Sequence, residues 1–287
     1  MNTMEYMRSV MALLSDINGI LNQNSLEPIA LSDITVTQKT VSDIVKPDAR
    51  LSSAIIDHVW PSIESATAYH YTSKSAAESI LNSGTFRLYC ILKRYKEDEI
   101  SAFCKIHGLA GYLEKDEFGD EKYKTMIMPN TFYSSFTDTS ITAVQEDYFW
   151  RTFACVDGVR LKIQIDASNP NFRKMKYADN TGQPIKILSD LTNLIKTKHD
   201  RDFILKGMSR ICAFYLSKNY DRENEFRILH RYWEGLGPKP KNDGAYDYIE
   251  IPLGSMSEIG YQLEITEVQS NETLSIPNKY SVTLRNA

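Results

Sequence analysis

Met4, Met7, Met11, Leu14 and Leu21 recur at near-heptad spacing with Ile17 beside them, so the chain opens on an amphipathic helix. Its apolar stripe is expected to dock on the protein's own core, with a partner-binding helix as the sharper alternative. Residues 22–61 turn polar and are broken at Pro28, Pro47 and Pro61, leaving room for short elements such as one over 51–59. Residues 68–72 then alternate as a short strand. Ser75-Ala76-Ala77-Glu78 has capping-box spacing for a compact helix over 76–81, and Gly84 suits its stop. The next strand is expected over 86–91, followed by a charged helix over 93–109 carrying Ile100, Phe103, Cys104 and His107. Both charges crowd into 114–124 around Gly119, which reads as an exposed loop.

A strand over 126–137 runs into Ser134-Ser135-Phe136-Thr137. Asp138, Thr139 or Ser140 can cap a helix reaching about residue 154, with Phe149, Trp150 and Phe153 as its core stripe. Gly158 turns the chain into a strand over 159–165. Residues 169–184 read as loop and 185–216 as one or two helices. The stretch 220–229 has a polar lead-in and then alternates, so Glu223, Glu225 and Arg227 share one strand face while Phe226 and Ile228 take the other. A surface loop over 234–244 and late strands over 246–252, 261–265 and 280–284 complete the chain. This order suits an α+β domain with a mixed or split sheet better than a doubly wound one.

The 287 residues suffice for one large domain with an appended segment, and an ordinary apolar content rules out global disorder. A net charge of −4 disfavours a general nucleic-acid coat, although Lys93, Arg94, Lys96, Lys239 and Lys241 offer local basic patches. No apolar run reaches transmembrane length and the first residues lack a signal-peptide pattern, so a cytoplasmic protein with no membrane partner is expected. Cys90, Cys104, Cys155 and Cys212 are too scattered for zinc and read as reduced thiols, mostly buried. No Walker loop, dinucleotide glycine fingerprint, H-E-x-x-H, G-x-S-x-G or kinase set occurs.

Three short pieces carry candidate chemistry. In Tyr69-His70-Tyr71-Thr72 a strand sets His70 beside Thr72, a pair able to bond sugar hydroxyls or a carboxamide without a metal; a core histidine bonded to a carbonyl is the structural alternative. In Ser135-Phe136-Thr137 two hydroxyls flank an aromatic that packs in the sheet or stacks on a flat ring. Glu223 and Glu225 can hold negative charge beside a developing cation, against the alternative of a solvated charge ladder.

The order of these pieces resembles the ADP-ribosyltransferase superfamily. Closer still, it is similar to a bacterial family of unknown function with an HYTS strand and helix and an SF[ST] strand. That family continues with a Trp-containing helix leading to a G-V strand, and a late E-x-E-[FW]-R strand. The matching residues are His70-Tyr71-Thr72-Ser73, Ser135-Phe136-Thr137, Trp150 through Gly158-Val159, and Glu223-Asn224-Glu225-Phe226-Arg227, and the resemblance covers roughly residues 69–229, a little over half the chain. The resemblance implies a split mixed or antiparallel sheet core over 65–287 behind an N-terminal helical lobe over 1–64. It further implies NAD as substrate, no metal, and cleavage of the nicotinamide–ribose bond through an oxocarbenium-like state.

Under that resemblance Glu225 bonds the ribose 2′-hydroxyl, Glu223 orients or deprotonates the acceptor, Ser135 positions Glu225 and Thr137 supports it. His70 binds a ribose with Thr72 beside it, while Tyr71, Tyr89 or Phe136 stacks on nicotinamide. The reading requires His70, Ser135 and Glu225 to converge on one cleft between neighbouring strands. The expected activity is mono-ADP-ribosylation of a protein or nucleic-acid acceptor by an intracellular toxin or phage-defence effector, with an inhibitor protein as a further partner. NAD hydrolysis and a non-catalytic binding role on the same fold are the alternatives. The arginine-first branch of the superfamily carries Arg where His70 stands, and the poly(ADP-ribose) branch carries a lone late Glu, so acceptor chemistry stays open.

Overall fold

The computed structural model describes residues 3–44, 49–93, 99–111, 113–155, 157–178, 183–216 and 218–285. The chain begins with α1 (Thr3–Gln23), β1 (Ile34–Val36), β2 (Thr40–Asp43), α2 (Arg50–Val59), β3 (Ser65–Thr72), α3 (Lys74–Ser83) and β4 (Thr85–Cys90). It continues through α4 (Glu99–Ile106), α5 (Lys122–Met126), β5 (Thr131–Asp138), α6 (Ala143–Phe149), β6 (Val159–Ala167), β7 (Phe172–Lys174), β8 (Lys176–Tyr177) and α7 (Lys186–His199). The remaining elements are β9 (Asp202–Ile204), α8 (Met208–Cys212), β10 (Tyr215–Leu216), β11 (Glu225–Arg231), β12 (Lys241–Asn242), β13 (Asp247–Pro252), β14 (Tyr261–Ser270) and β15 (Val282–Leu284). The protein is α+β with mixed sheets, and no helix among the described residues is long and apolar enough to cross a membrane.

Two compact units divide the chain. The first comprises Met1–Pro61, Tyr95–Met128 and Lys176–Lys218; the second comprises Ser62–Arg94, Pro129–Met175 and Asn219–Ala287. The first crossing lies between Pro61 and Ser62, and two later segments also belong to the first unit. Sequence order hides this because the chain leaves and re-enters each unit.

In the first unit α1 buries Val10, Leu13, Leu14, Ile17 and Leu21, whereas Met4, Met7 and Met11 are exposed. The methionine stripe expected to face the core therefore points outward over its first three turns. Asp16 on α1 bonds His199 and Lys198 at the end of α7, each at 2.8 Å. A three-stranded sheet runs β1-β2-β9, antiparallel then parallel. Asp43 at the end of β2 is fully buried and accepts hydrogen bonds from Ser52 Oγ and the Lys206 and Gly207 amides, which give its carboxylate three donors. His107 is equally enclosed. Its Nδ1–H donates to the Phe103 carbonyl at 2.8 Å and its Nε2 accepts from the Ile185 amide at 2.9 Å, and burial pushes its pKa down to about 4.

The second unit is one large sheet ordered β12-β13-β4-β5-β3-β6-β14-β15, with β11 on the other edge of β5 and β7 on β11. Apart from the parallel β14–β15 pair, all its ladders are antiparallel. One face carries the core: Ala68, Phe86, Leu88, Phe132, Phe136, Leu161, Ile163, Phe226, Ile228, Ile249 and Leu263 with Ala77 and Leu81 of α3. Two helix starts lie elsewhere than expected. Ser73, not Ser75, caps α3, its Oγ accepting from the Ala76 amide. Thr142, not residues 138–140, caps α6, because Asp138 instead bonds the Ser140 amide and hydroxyl in a turn. The expected loop 169–184 holds β7 and β8, short strands whose order comes from distant partners (β11 and β10) and not from their own alternation.

Candidate functional site

Strand β3 pairs with β6 along all eight residues but with β5 only at Ala68–Asp138 and Tyr69–Thr137. Strand β5 meets β4 again at Tyr133 and Phe132. Between these ladders the β5 edge over 134–136 has no strand partner among the described residues, so the sheet forks there. His70 fills the fork. Its Nδ1 donates to the Ser135 carbonyl at 3.2 Å, and its ring sits 5.0 Å from Phe86 and 5.7 Å from Phe136 on the core face.

The other face is polar. Antiparallel partners share a face, so Glu225 stands beside Thr137, Arg227 beside Ser135 and Leu229 beside Tyr133. Tyr69 joins through its pairing with Thr137 and Tyr89 through its pairing with Tyr133. Glu225 is 3% exposed and is gripped by Arg227, with Nε 2.7 Å from Oε1 and Nη2 3.3 Å from Oε2. The same guanidinium lies 4.6 Å over the Tyr133 ring. Ser135, like Tyr69 and Tyr89, is half-buried, and Thr137 is buried.

On the β3–β6 side of the same face, Arg160 bonds Glu146 at 2.6 Å and Glu267 at 2.9 Å and covers the Tyr69 ring at 4.3 Å. Tyr71 packs under α6, stacked on Phe149 at 5.3 Å and edge-on to Trp150 at 5.6 Å. Burial pushes its phenol up to about 12, so it stays protonated at neutral pH.

The expected site residues therefore fall into three groups. Ser135, Thr137, Glu225, Tyr71 and Tyr89 share the polar face. His70, Thr72 and Phe136 belong to the opposite face, so the expected convergence of His70 with Ser135 and Glu225 into one cleft is not what the strands produce: alternation turns His70 to the core. Tyr71 and Phe136 are consumed by packing, and Tyr89 carries the Lys93 ammonium over its ring at 3.0 Å. As expected, Phe149 and Trp150 are core, whereas Phe153 of the same expected stripe is exposed.

Glu223 forms the third group. It ends a 3-10 turn over Lys218–Glu223, and Asn224 follows at φ 42°, in the left-handed region. The strand begins only at Glu225, so the alternation that put Glu223 on the Glu225 face does not reach it. Sequence reasoning had placed Arg227 on that face without a role, and Gln145 and Arg160 had none. Thr142-x-x-Gln145 was legible as a capping box; the grip of Arg227 was legible only as an i, i+2 pair in an alternating strand.

Comparison with protein-family models, curated proteins and solved structures returned no match.

Proposed function

We propose that the chain is an NAD-consuming mono-ADP-ribosyltransferase, acting on a protein or nucleic-acid acceptor as an intracellular toxin or phage-defence effector. The observation that carries this reading is the adjacency of β3, β5 and β11. β3 and β5 bear the H-x-T and S-x-T segments, β11 opens on the second Glu of the E-x-E segment, and the three lie side by side, forked between the first two. Ser135, Thr137 and Glu225 share a face, as required of groups that hold one ribose.

In this reading the carboxylate of Glu225, fixed by Arg227, accepts a hydrogen bond from the 2′-hydroxyl of the nicotinamide ribose. The bond from C1′ to the nicotinamide nitrogen breaks, its electron pair leaving with neutral nicotinamide. A nucleophilic oxygen or nitrogen of the acceptor bonds C1′, and its proton passes to Glu223 or solvent. With water as acceptor the product is free ADP-ribose. The ribose-binding role expected of His70 is withdrawn, because its ring lies on the core face, and the reading rests on Ser135, Thr137 and Glu225 without the expected three-way convergence.

A non-catalytic binding role is favoured by one observation, the burial of Glu225 in a bidentate pair. Labelled NAD added to purified protein with cell lysate tests both. Nicotinamide release with label on a macromolecule supports the transferase; release with only free ADP-ribose supports the hydrolase. Binding by calorimetry with no release supports the non-catalytic role. Glu225→Gln and Ser135→Ala proteins that match the parent would reject the assigned residues.

A further inference from the structure

We infer that Gln145 and Tyr148 of α6 clamp the chain entering β11, and that this clamp positions Glu223. Its chemical consequence rests on the transferase reading; the clamp itself rests on geometry. Asn224 holds a backbone at φ 42°, in the left-handed region that asparagine enters more readily than most residues but still at a cost that its contacts offset. Four contacts brace this stretch, two on Asn224 and two on Arg222. The Asn224 amide donates to the Asp221 carbonyl at 3.3 Å, and the Asp138 amide donates to the Asn224 carbonyl at 3.1 Å. Gln145 Nε2 donates to the Arg222 carbonyl at 3.1 Å, and the Arg222 guanidinium lies 4.5 Å over the Tyr148 ring.

The choice of glutamine is informative. Its Oε1 accepts from the Thr142 amide at 2.9 Å and hydroxyl at 3.0 Å, completing the capping box. Glutamate performs that task equally well. Only the amide adds a donor, and that donor reaches the carbonyl immediately before Glu223. Glu225 has separate support, since β11 is zipped to β5 and β7 from its first residues. Loosening the clamp should therefore disturb the acceptor-side carboxylate and spare the NAD-side one.

Gln145→Glu keeps the capping acceptor and removes the donor; Tyr148→Leu removes the ring. Both are compared with the parent by hydrogen exchange over 218–224, by thermal melting, and by the partition of NAD into acceptor-linked and free ADP-ribose. One lost hydrogen bond should speed loop exchange roughly tenfold while the melting curve holds. The acceptor-linked fraction should fall roughly tenfold with nicotinamide release within about twofold of the parent. Unchanged loop exchange in both variants overturns the clamp. Faster exchange with an unchanged partition overturns its role in placing Glu223. A parent protein that releases no nicotinamide rejects the transferase reading, and with it the role of Glu223, while loop exchange still decides the clamp.

Discussion

Arg227 holds both carboxylate oxygens of Glu225 from two residues along the same strand, with the two side chains 4% and 5% exposed. Removing Arg227 takes an opposite charge and two hydrogen bonds from a carboxylate held out of water. Arg227→Met alone should cost about 3–5 kcal/mol in chemical denaturation. The double change Glu225→Leu with Arg227→Met should recover most of that loss. Additive losses in the double variant would show that the pair is not the coupling unit.

The ring of His70 replaces backbone pairing where β3 and β5 part. His70→Ala removes that hydrogen bond and opens space between Phe86 and Phe136, so it should lower stability by about 2–4 kcal/mol. Because the ring lies on the face away from Glu225, the folded variant at low temperature should bind NAD as the parent does. A large loss of affinity measured by calorimetry would return His70 to the site.

His107 predicts an acid weakness. Its folded pKa is lowered to about 4, against about 6.5 for an exposed histidine, so between those values the unfolded chain takes up a proton that the folded chain refuses. Stability should be flat above about pH 6.5 and decline as the pH falls toward 4, by about 3 kcal/mol from this group. His230, lowered by burial, acts in the same direction. Denaturation midpoints across this range check the sign, and His107→Gln should flatten the slope.

Gly158 precedes β6 with no room for a Cβ, which would collide with the carbonyl and Cβ of Ala154 at the end of the π-turn Trp150–Ala154. Gly158→Ala forces backbone movement there and should cost about 2–3 kcal/mol. Gly119, which meets nothing within 4 Å at its Cβ position but has φ 88°, makes a useful contrast: its alanine variant tests backbone strain without crowding. Thermal melts of the two separate the effects.

What the chain determined by itself is local. The alternation of β3, β5, β6 and β11 was legible because a strand's two faces differ every second residue, whatever lies beside it. The same rule already put Arg227 with Glu225 and His70 opposite Tyr69. The glycine stop of α3 at Gly84, in the left-handed region, was legible for an equally local reason. Only the tertiary structure decided which strands became neighbours. That pairing buried Glu225 against Arg227, ordered β7 from a segment with no pattern of its own, and opened the fork that His70 closes. It also ended the alternation one residue after Glu223, because Asn224 takes its backbone from contacts with Asp138 and Asp221. Register and burial are set by segments far apart in sequence, and no periodicity within one of them encodes the other.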